Sequence, residues 1–278
     1  MNLPYLDPRV LSFAEAVDAL EAALRDGLDV EADPPRSAAG PLLLMPSTAG
    51  GGLGVKLVTV GSREPRVQGV YVLFDAETLA PAALLDGIGM TDLRTAAVSA
   101  LAVRHLARRR ERLVVFGTGP QARAHVAALE AAHVRVVGRD PERTAAFAES
   151  VGAEVAGPGA VADADVVVCA TTARSPVFDG ELVPEHATVV AIGSHEPDAR
   201  EVDSQLVERA SIVVVESRGS ALREAGDVIM AGLGADDLVD IGELVRGEVE
   251  PGPGPRLFKG TGMAWEDLVI ARQVLARH

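Results

Sequence analysis

The feature that most restricts the fold is a rhythm that begins at residue 112. Short apolar runs (RLVVFG, VRVVG, ADVVVCATT, ATVVAIG and SIVVVES) alternate with segments of helical pattern such as PQARAHVAALEAA and ERTAAFAESV. A run that is apolar at every position is buried on both faces. Strands joined through helices build a parallel sheet with helices covering it. This part of the chain is therefore expected to be α/β, a doubly wound parallel sheet. The part before it has a different period. SFAE at 12–15 fits a capping box, with Ser12 at the cap and Glu15 three residues later, and Phe13, Val17, Leu20 and Leu24 follow at helical spacing up to Gly27. PLLLMP, GVKLVTV, GVYVLFDA and APAALLDG then recur at hairpin-like intervals, which predicts an antiparallel sheet or small barrel. Thr91 is expected to open a helix, TDLRTAAVSALAVRHLA. The Pro/Gly hinge PGPGP at 251–255 precedes RLFKGTG and a last helix from about Trp265.

The first β–α turn of the α/β region carries Gly117, Gly119 and Ala122 as G-x-G-x-x-A. After a strand and before a helix, Gly117 permits the tight turn, Gly119 lets backbone approach a pyrophosphate, and Ala122 permits close helix–sheet packing. Thr118, Pro120 and Gln121 complete the loop, and a Rossmann-type dinucleotide site is expected there. The tip of the second strand, where a ribose 2′-hydroxyl usually meets an acid, falls nineteen residues after Gly119, at Gly138. No acid stands there, and Arg139 follows. A guanidinium suits the 2′-phosphate of NADPH, with Arg143 or Thr144 assisting. The alternative is NADH, with Asp140 holding the ribose. Asp140 and Pro141 also look like a cap and first turn. Thr171 and Thr172 end the next strand on its ligand-binding edge. Gly193 and Ser194 follow the one after, and all four are expected near the cofactor. Lys259 in FKGTG is expected near the nicotinamide, the alternative being a surface lysine.

Composition excludes several classes. The chain has 278 residues and a formal net charge of −14, a field that repels nucleic acid and anionic lipid. No apolar run approaches the roughly 20 residues of a membrane span. MNLPYLDPRV lacks a basic stretch followed by an apolar core, so no signal peptide is expected. Cys169 is the only cysteine, which excludes an intrachain disulfide and suggests a reducing, cytoplasmic compartment. No metal site is expected. Of the 26 Lys and Arg residues only Lys56 and Lys259 are lysines. Arg stays protonated, whereas a buried Lys can be tuned to release its proton, so the two point to chemistry. Arg94, expected in the first turn of its helix beside free backbone N–H groups, is a candidate carboxylate site.

The segments GVKLVTV, DLRTAAVSALA, FGTGPQARAH, GSHEPDAREVD, SRGSALREAGDVI and FKGTGMAWEDL, in this order, resemble the ornithine cyclodeaminase/mu-crystallin family. The resemblance implies a homodimer. It implies a split domain, 1–106 with 254–278, that binds substrate and pairs subunits, and a central Rossmann domain, 107–253, that holds the nucleotide. It also implies that Arg36, Lys56 and Arg94 gather round a substrate carboxylate. Family activities include ornithine cyclodeamination, alanine dehydrogenation and reduction of ketimines such as Δ1-pyrroline-2-carboxylate.

One departure bears on the activity. Ornithine cyclodeaminases carry an Asp where this chain has His195, and an imidazole does not replace a fixed carboxylate beside a cationic amine. The expected reaction is therefore NADPH-dependent (NADH being the alternative) reduction of a small cyclic 2-imino acid to the L-amino acid. Lys56 is the first candidate proton donor and Glu224 the second. His195 either takes a direct part or only touches cofactor. Asp227 is expected to be structural, capping the segment after it. The alternatives are ornithine cyclodeaminase or alanine dehydrogenase activity on the same scaffold, or NADPH-dependent small-ligand binding without turnover.

Overall fold

The computed structural model describes residues 3–61 and 67–278. In chain order, strand β1 (Tyr5–Leu6) and helix α1 (Phe13–Arg25) lead into β2 (Ser37–Ala39), β3 (Leu42–Ser47), β4 (Leu53–Val60), β5 (Val67–Phe74), β6 (Pro81–Asp86) and helix α2 (Gly87–Leu106). There follow β7 (Arg112–Phe116), α3 (Pro120–Leu129), β8 (His133–Val137), α4 (Pro141–Val151), β9 (Glu154–Val155), β10 (Val166–Cys169), β11 (Thr188–Ala191) and α5 (Ser204–Arg209). The remainder is β12 (Ile212–Val215), α6 (Arg218–Glu224), α7 (Gly226–Ile229), β13 (Val239–Asp240), α8 (Ile241–Arg246), β14 (Arg256–Lys259) and α9 (Ala264–Leu275). The elements form two compact units, Met1–Val98 with Gly262–His278, and Ser99–Thr261.

The first unit is built on an open six-stranded sheet in the order β1-β6-β5-β4-β3-β2. β1 runs parallel to β6 and every other pair is antiparallel, so the sheet has two free edges and is not a barrel. Alternation along β4 buries Gly54, Lys56 and Val58 on one face and leaves Leu53, Val55 and Leu57 half-buried on the other. α9 packs on β3, β4 and β5, and α1 packs on α9. The capping box at Ser12 is formed in both directions, and α1 buries Ala16, Val17, Leu20 and Leu24. Its end is the left-handed Gly27, φ 86°.

The second unit holds an eight-stranded, wholly parallel sheet in the order β13-β12-β14-β11-β10-β7-β8-β9. Every residue of β10, β11, β12 and β14 is buried, the pattern of strands covered on both faces. The chain winds outward in one direction from β7 and in the other from β10. The topological switch point lies between them, at the carboxyl ends Phe116 and Cys169.

Three expectations need correction. α2 begins at Gly87 and not at Thr91, because the Asp86 carboxylate accepts from the Ile88 amide at 3.1 Å and so starts the helix a turn earlier. Arg94 is consequently the eighth residue of the helix, away from its free N–H groups. The units also divide elsewhere than at 106/107 and 253/254. The first division falls inside α2, after Val98. The second falls after Thr261, because β14 is a sheet strand, hydrogen-bonded between β11 and β12.

Candidate active site

In the second unit the glycine loop has the geometry that its residues imply. Gly117 has φ 115°, and a Cβ there would lie 2.3 Å from the Ala170 carbonyl oxygen. No other residue fits. Gly119 is the N-cap of α3 in extended backbone, and a Cβ on it would meet nothing within 4 Å, so open space lies before this stretch of backbone. Pro120 opens the helix and Ala122 is fully buried. Gly138 lets β8 end close to its neighbours, since a Cβ there would lie 2.2 Å from Thr144 Oγ1 and 3.1 Å from Thr118 Cγ2. Arg139, Asp140, Pro141 and Glu142 line an open depression of about 710 Å3. Asp140 caps α4 by accepting from the Arg143 amide at 2.9 Å. Thr144 is buried and donates its hydroxyl to the Asp140 carbonyl at 2.6 Å. It is turned inward, not toward a phosphate.

The carboxyl ends of β10 and β11 are tied together by a residue that sequence reasoning missed. Glu201 is fully buried. One of its oxygens accepts from the Thr171 amide and hydroxyl at 2.8 and 2.7 Å, and the other accepts from the Gly193 amide at 2.6 Å. Burial pushes the Glu201 carboxyl up, and the Lys259 charge opposes that. The Thr171 hydroxyl, expected to face cofactor, is spent on Glu201 and accepts from the Ala173 amide at 3.1 Å. Ser194 donates its hydroxyl to the Ala199 carbonyl, and Thr172 is exposed.

Lys259 is not a surface residue: it is buried, 3.0 Å from Asp227 and donating to the Ser194 carbonyl at 2.6 Å. Asp227 is structural, though not by capping the segment after it. Its other oxygen accepts from the amides of Glu201 and Val202 at 2.7 and 2.9 Å. Glu224 is half-buried at the end of α6, and His195 is exposed in the loop after β11.

In the first unit the three expected cations come together. Register places Lys56 between Met45 and Tyr71 on the buried face, with the Tyr71 hydroxyl lying over Gly54. Lys56 Nζ lies 3.1 and 2.8 Å from the two carboxylate oxygens of Asp267. Arg94 Nη1 is 2.8 Å from Glu266, and Arg94 Nε is 3.5 Å from Asp267. Arg36 donates to the Gly262 carbonyl at 3.0 Å. Gly262 has φ 84°, and a Cβ on it would lie 2.7 Å from both terminal nitrogens of Arg94, so the two guanidinia share this glycine. Burial and the Arg94 charge bring Lys56 down to about 8, against the opposing pull of Asp267 and Glu266. Burial pushes the Asp33 carboxyl and the Tyr71 hydroxyl up.

The structure thus gathers Arg36, Lys56 and Arg94, and adds Glu266 and Asp267. These acids stand in the first turn of α9, where acids are common for reasons of helix dipole alone, and nothing local to WED betrayed their partners. The five charges sum to one net positive, matched to a single carboxylate. Among the described residues no group of three or more His, Cys, Asp or Glu could hold a metal ion, and no helix is long and apolar enough to cross a membrane.

The profile of the ornithine cyclodeaminase/mu-crystallin family matches residues 10–278. The chain is 33% identical over 258 residues to a Δ1-pyrroline-2-carboxylate reductase of Bacillus cereus, covering 83% of this chain and 79% of that one. It is 36% identical over 244 residues to the ketimine reductase mu-crystallin of Rattus norvegicus, covering 82% and 77%. Among solved structures it is similar to the Δ1-pyrroline-2-carboxylate reductase of Thermococcus litoralis in complex with NADH and L-proline. The TM-score is 0.88 at 26% identity, over 99% of this chain and 97% of that one.

Proposed function

Because the chain belongs to the ornithine cyclodeaminase/mu-crystallin family, we propose that it is an NADPH-dependent reductase of small cyclic 2-imino acids, forming the L-amino acid. The observation that carries this reading is the cluster of Arg36, Lys56 and Arg94 with Glu266 and Asp267, whose net charge of one suits a monocarboxylate. The names of the relatives support the imine as reacting group. The glycine loop fits a dinucleotide, which when bound supplies the hydride for the C=N carbon. Gly117 accepts a backbone angle that residues with side chains rarely adopt, and the space before Gly119 is open for a pyrophosphate.

This chain's residues do the rest. Arg36 and Arg94 hold the carboxylate and so orient the imine carbon. Lys56, with a pKa of about 8, is mostly ammonium at neutral pH and can give its proton to the imine nitrogen, leaving a neutral amine. A protonated nitrogen makes the carbon a far better hydride acceptor. Glu224 and His195 belong to the other unit. Glu224 remains the second candidate donor, and His195, in place of an Asp, speaks against ammonia loss.

Arg139 supports NADPH over NADH: it is exposed in the depression at the end of β8, while the neighbouring Asp140 is engaged in capping α4. The cofactor-binding set proposed is the loop 117–122 with Gly138, Arg139, Gly193 and Thr172. A homodimer is proposed on the outward face of the first sheet. There Leu44, Leu57 and Val70 form one half-buried row and Pro46, Val55 and Val72 another. The buried single thiol, Cys169, is compatible with a cytoplasmic location.

The test is NADPH consumption with Δ1-pyrroline-2-carboxylate, Δ1-piperideine-2-carboxylate, and pyruvate with ammonia or methylamine. Turnover of a cyclic imine is expected. Tight ligand binding without turnover, or ammonia release from L-ornithine with NAD, would overturn the reading. A higher kcat/KM with NADH than with NADPH would overturn the cofactor choice alone.

A further inference from the structure

We infer that Asp267 is a positioning residue: it keeps the Lys56 side chain a fixed ammonium and spaces it from Arg94. The inference rests on the reading of Lys56 as proton donor. Two cations buried side by side repel, and the nearer effect is loss of the lysine proton, since arginine does not give one up. Asp267 meets this geometrically. Both of its oxygens lie within 3.1 Å of Lys56 Nζ, and Oδ1 also lies 3.5 Å from Arg94 Nε, so one carboxylate bridges the proton donor and the carboxylate clamp. Asp267 is fully buried and Lys56 is 2% exposed, so water screens little of this interaction. Glu266, one residue earlier on α9, serves Arg94 at 2.8 Å and leaves Asp267 to the lysine.

Charged and titratable groups surround Lys56 from several elements. α2 contributes Arg94, and α9 contributes Glu266 and Asp267. β5 contributes Tyr71, beside Lys56 in register, and Asp33, in the segment after α1, acts on Tyr71 and Asp267 rather than on the lysine itself. β3 contributes Met45, which does not titrate. Tyr71 is pushed upward and keeps its proton at neutral pH, and Asp33 is likewise shifted toward its neutral form, so neither balances the lysine as Asp267 does. When Lys56 passes its proton to the imine nitrogen, one N–H bond breaks and one forms, and the amine left beside Asp267 is favoured to take a proton back from solvent. What Asp267 touches is the Lys56 ammonium. Its effect runs through Lys56.

The experiment is Asp267→Asn, which keeps the shape and removes the charge. The alkaline limb of the kcat/KM profile, near pH 8 in the parent, is expected to move down by a pH unit or more. Activity at pH 7.5 should then fall about threefold or more and recover largely near pH 6. A merely structural loss would lower the profile uniformly without moving the limb, and that result overturns the inference. A second readout needs no substrate. The sequence has two lysines, so side-chain labelled lysine gives two NMR signals, the Lys56 one being absent in Lys56→Met. Its titration midpoint should fall by a unit or more in Asp267→Asn, and an unchanged midpoint is fatal to the idea.

If Asp267→Asn does not fold, Asp267→Glu retains the charge but displaces it. A midpoint near the parent value with a tenfold or greater loss in kcat is then expected, and unaltered kcat refutes the positioning role. Should the parent protein reduce no imine, the function proposal fails, while the NMR midpoint still decides whether Asp267 holds the lysine proton.

Discussion

Replacing Lys259 by Met is expected to cost far more than a surface lysine would. Lys259 lies at the end of β14 with its side chain fully buried, 3.0 Å from an equally buried Asp227. Removing one partner of such a pair leaves an uncompensated charge and costs about 3–5 kcal/mol. At about 2.1 cal/mol/K of unfolding entropy per residue, a chain of this length should lose about 5–9 °C in Tm. Two carboxylates lose the same counter-charge here, because Glu201 also feels Lys259. Asp227→Asn alone leaves Lys259 its hydrogen bond to the Ser194 carbonyl, and the new amide oxygen can still accept from the Glu201 and Val202 amides. The double variant Lys259→Met/Asp227→Asn removes both charges. It should be less damaged than the sum of the singles by about 2 kcal/mol, while remaining below the parent because Glu201 is still unbalanced. Urea denaturation of the four proteins at pH 7 measures this cycle. Single effects that add to within about 0.5 kcal/mol would show that the pair is not coupled, and the reasoning would be wrong.

Other outcomes are expected. Gly117→Ala should lower stability and nucleotide affinity together, since the new methyl meets the Ala170 carbonyl. Gly119→Ala should leave Tm within about a degree and still weaken nucleotide binding, because open space surrounds it and only a ligand would notice. Calorimetric titration with NADPH alongside thermal melts separates the two. His125 is fully buried between the Gln121 carbonyl and Ser99 Oγ, and burial brings it down to about 4. Its folded pKa lies below the unfolded 6.5, so the unfolded chain binds the proton first. Stability should therefore fall as pH drops from about 6.5 to about 4, by roughly 3 kcal/mol, and His125→Gln should flatten that slope in acid urea titrations. Lys56 and Lys259 are 2% and 1% exposed, so an amine-directed reagent should label the native protein only at its α-amino group, as peptide mapping would show. Modified Lys56 or Lys259 before unfolding would contradict their burial.

What the sequence made legible was local. The glycines at 117 and 119, the capping box at Ser12 and Glu15, and the cap at Asp140 each depend on residues within a few positions, and each stands where its spacing puts it. The parallel sheet was legible from runs such as VVVC and TVVA, since burial on both faces leaves no polar alternation. What could not be read depends on partners far along the chain. Lys56 and Asp267 are 211 positions apart, and no pattern around either marks the other. Gly87 looks like a helix breaker by propensity. Yet a Cβ there would lie 2.5 Å from the Gly69 backbone, so the glycine is set by a neighbouring strand and not by the helix it begins. The PGPGP hinge suggested a change of domain, but the Arg256 amide donates to the Ala187 carbonyl at 3.0 Å and carries the next four residues into the parallel sheet. Lys56 stood out by the scarcity of lysine and Arg94 by an expected place at a helix start, while Arg36 and the gathering of all three came through resemblance. Their acidic partners stand in another resembling segment, FKGTGMAWEDL, and passed unnoticed, because acids at a helix start have an ordinary explanation.

The most direct measurement follows the hydride. NADPH carrying deuterium at the transferable C4 position is incubated with the protein and Δ1-pyrroline-2-carboxylate, and the product is isolated. The account predicts L-proline with one deuterium on Cα, formed by the parent protein and lost when Lys56 is replaced by Met. Proline free of deuterium, or full label transfer without Lys56, would contradict it.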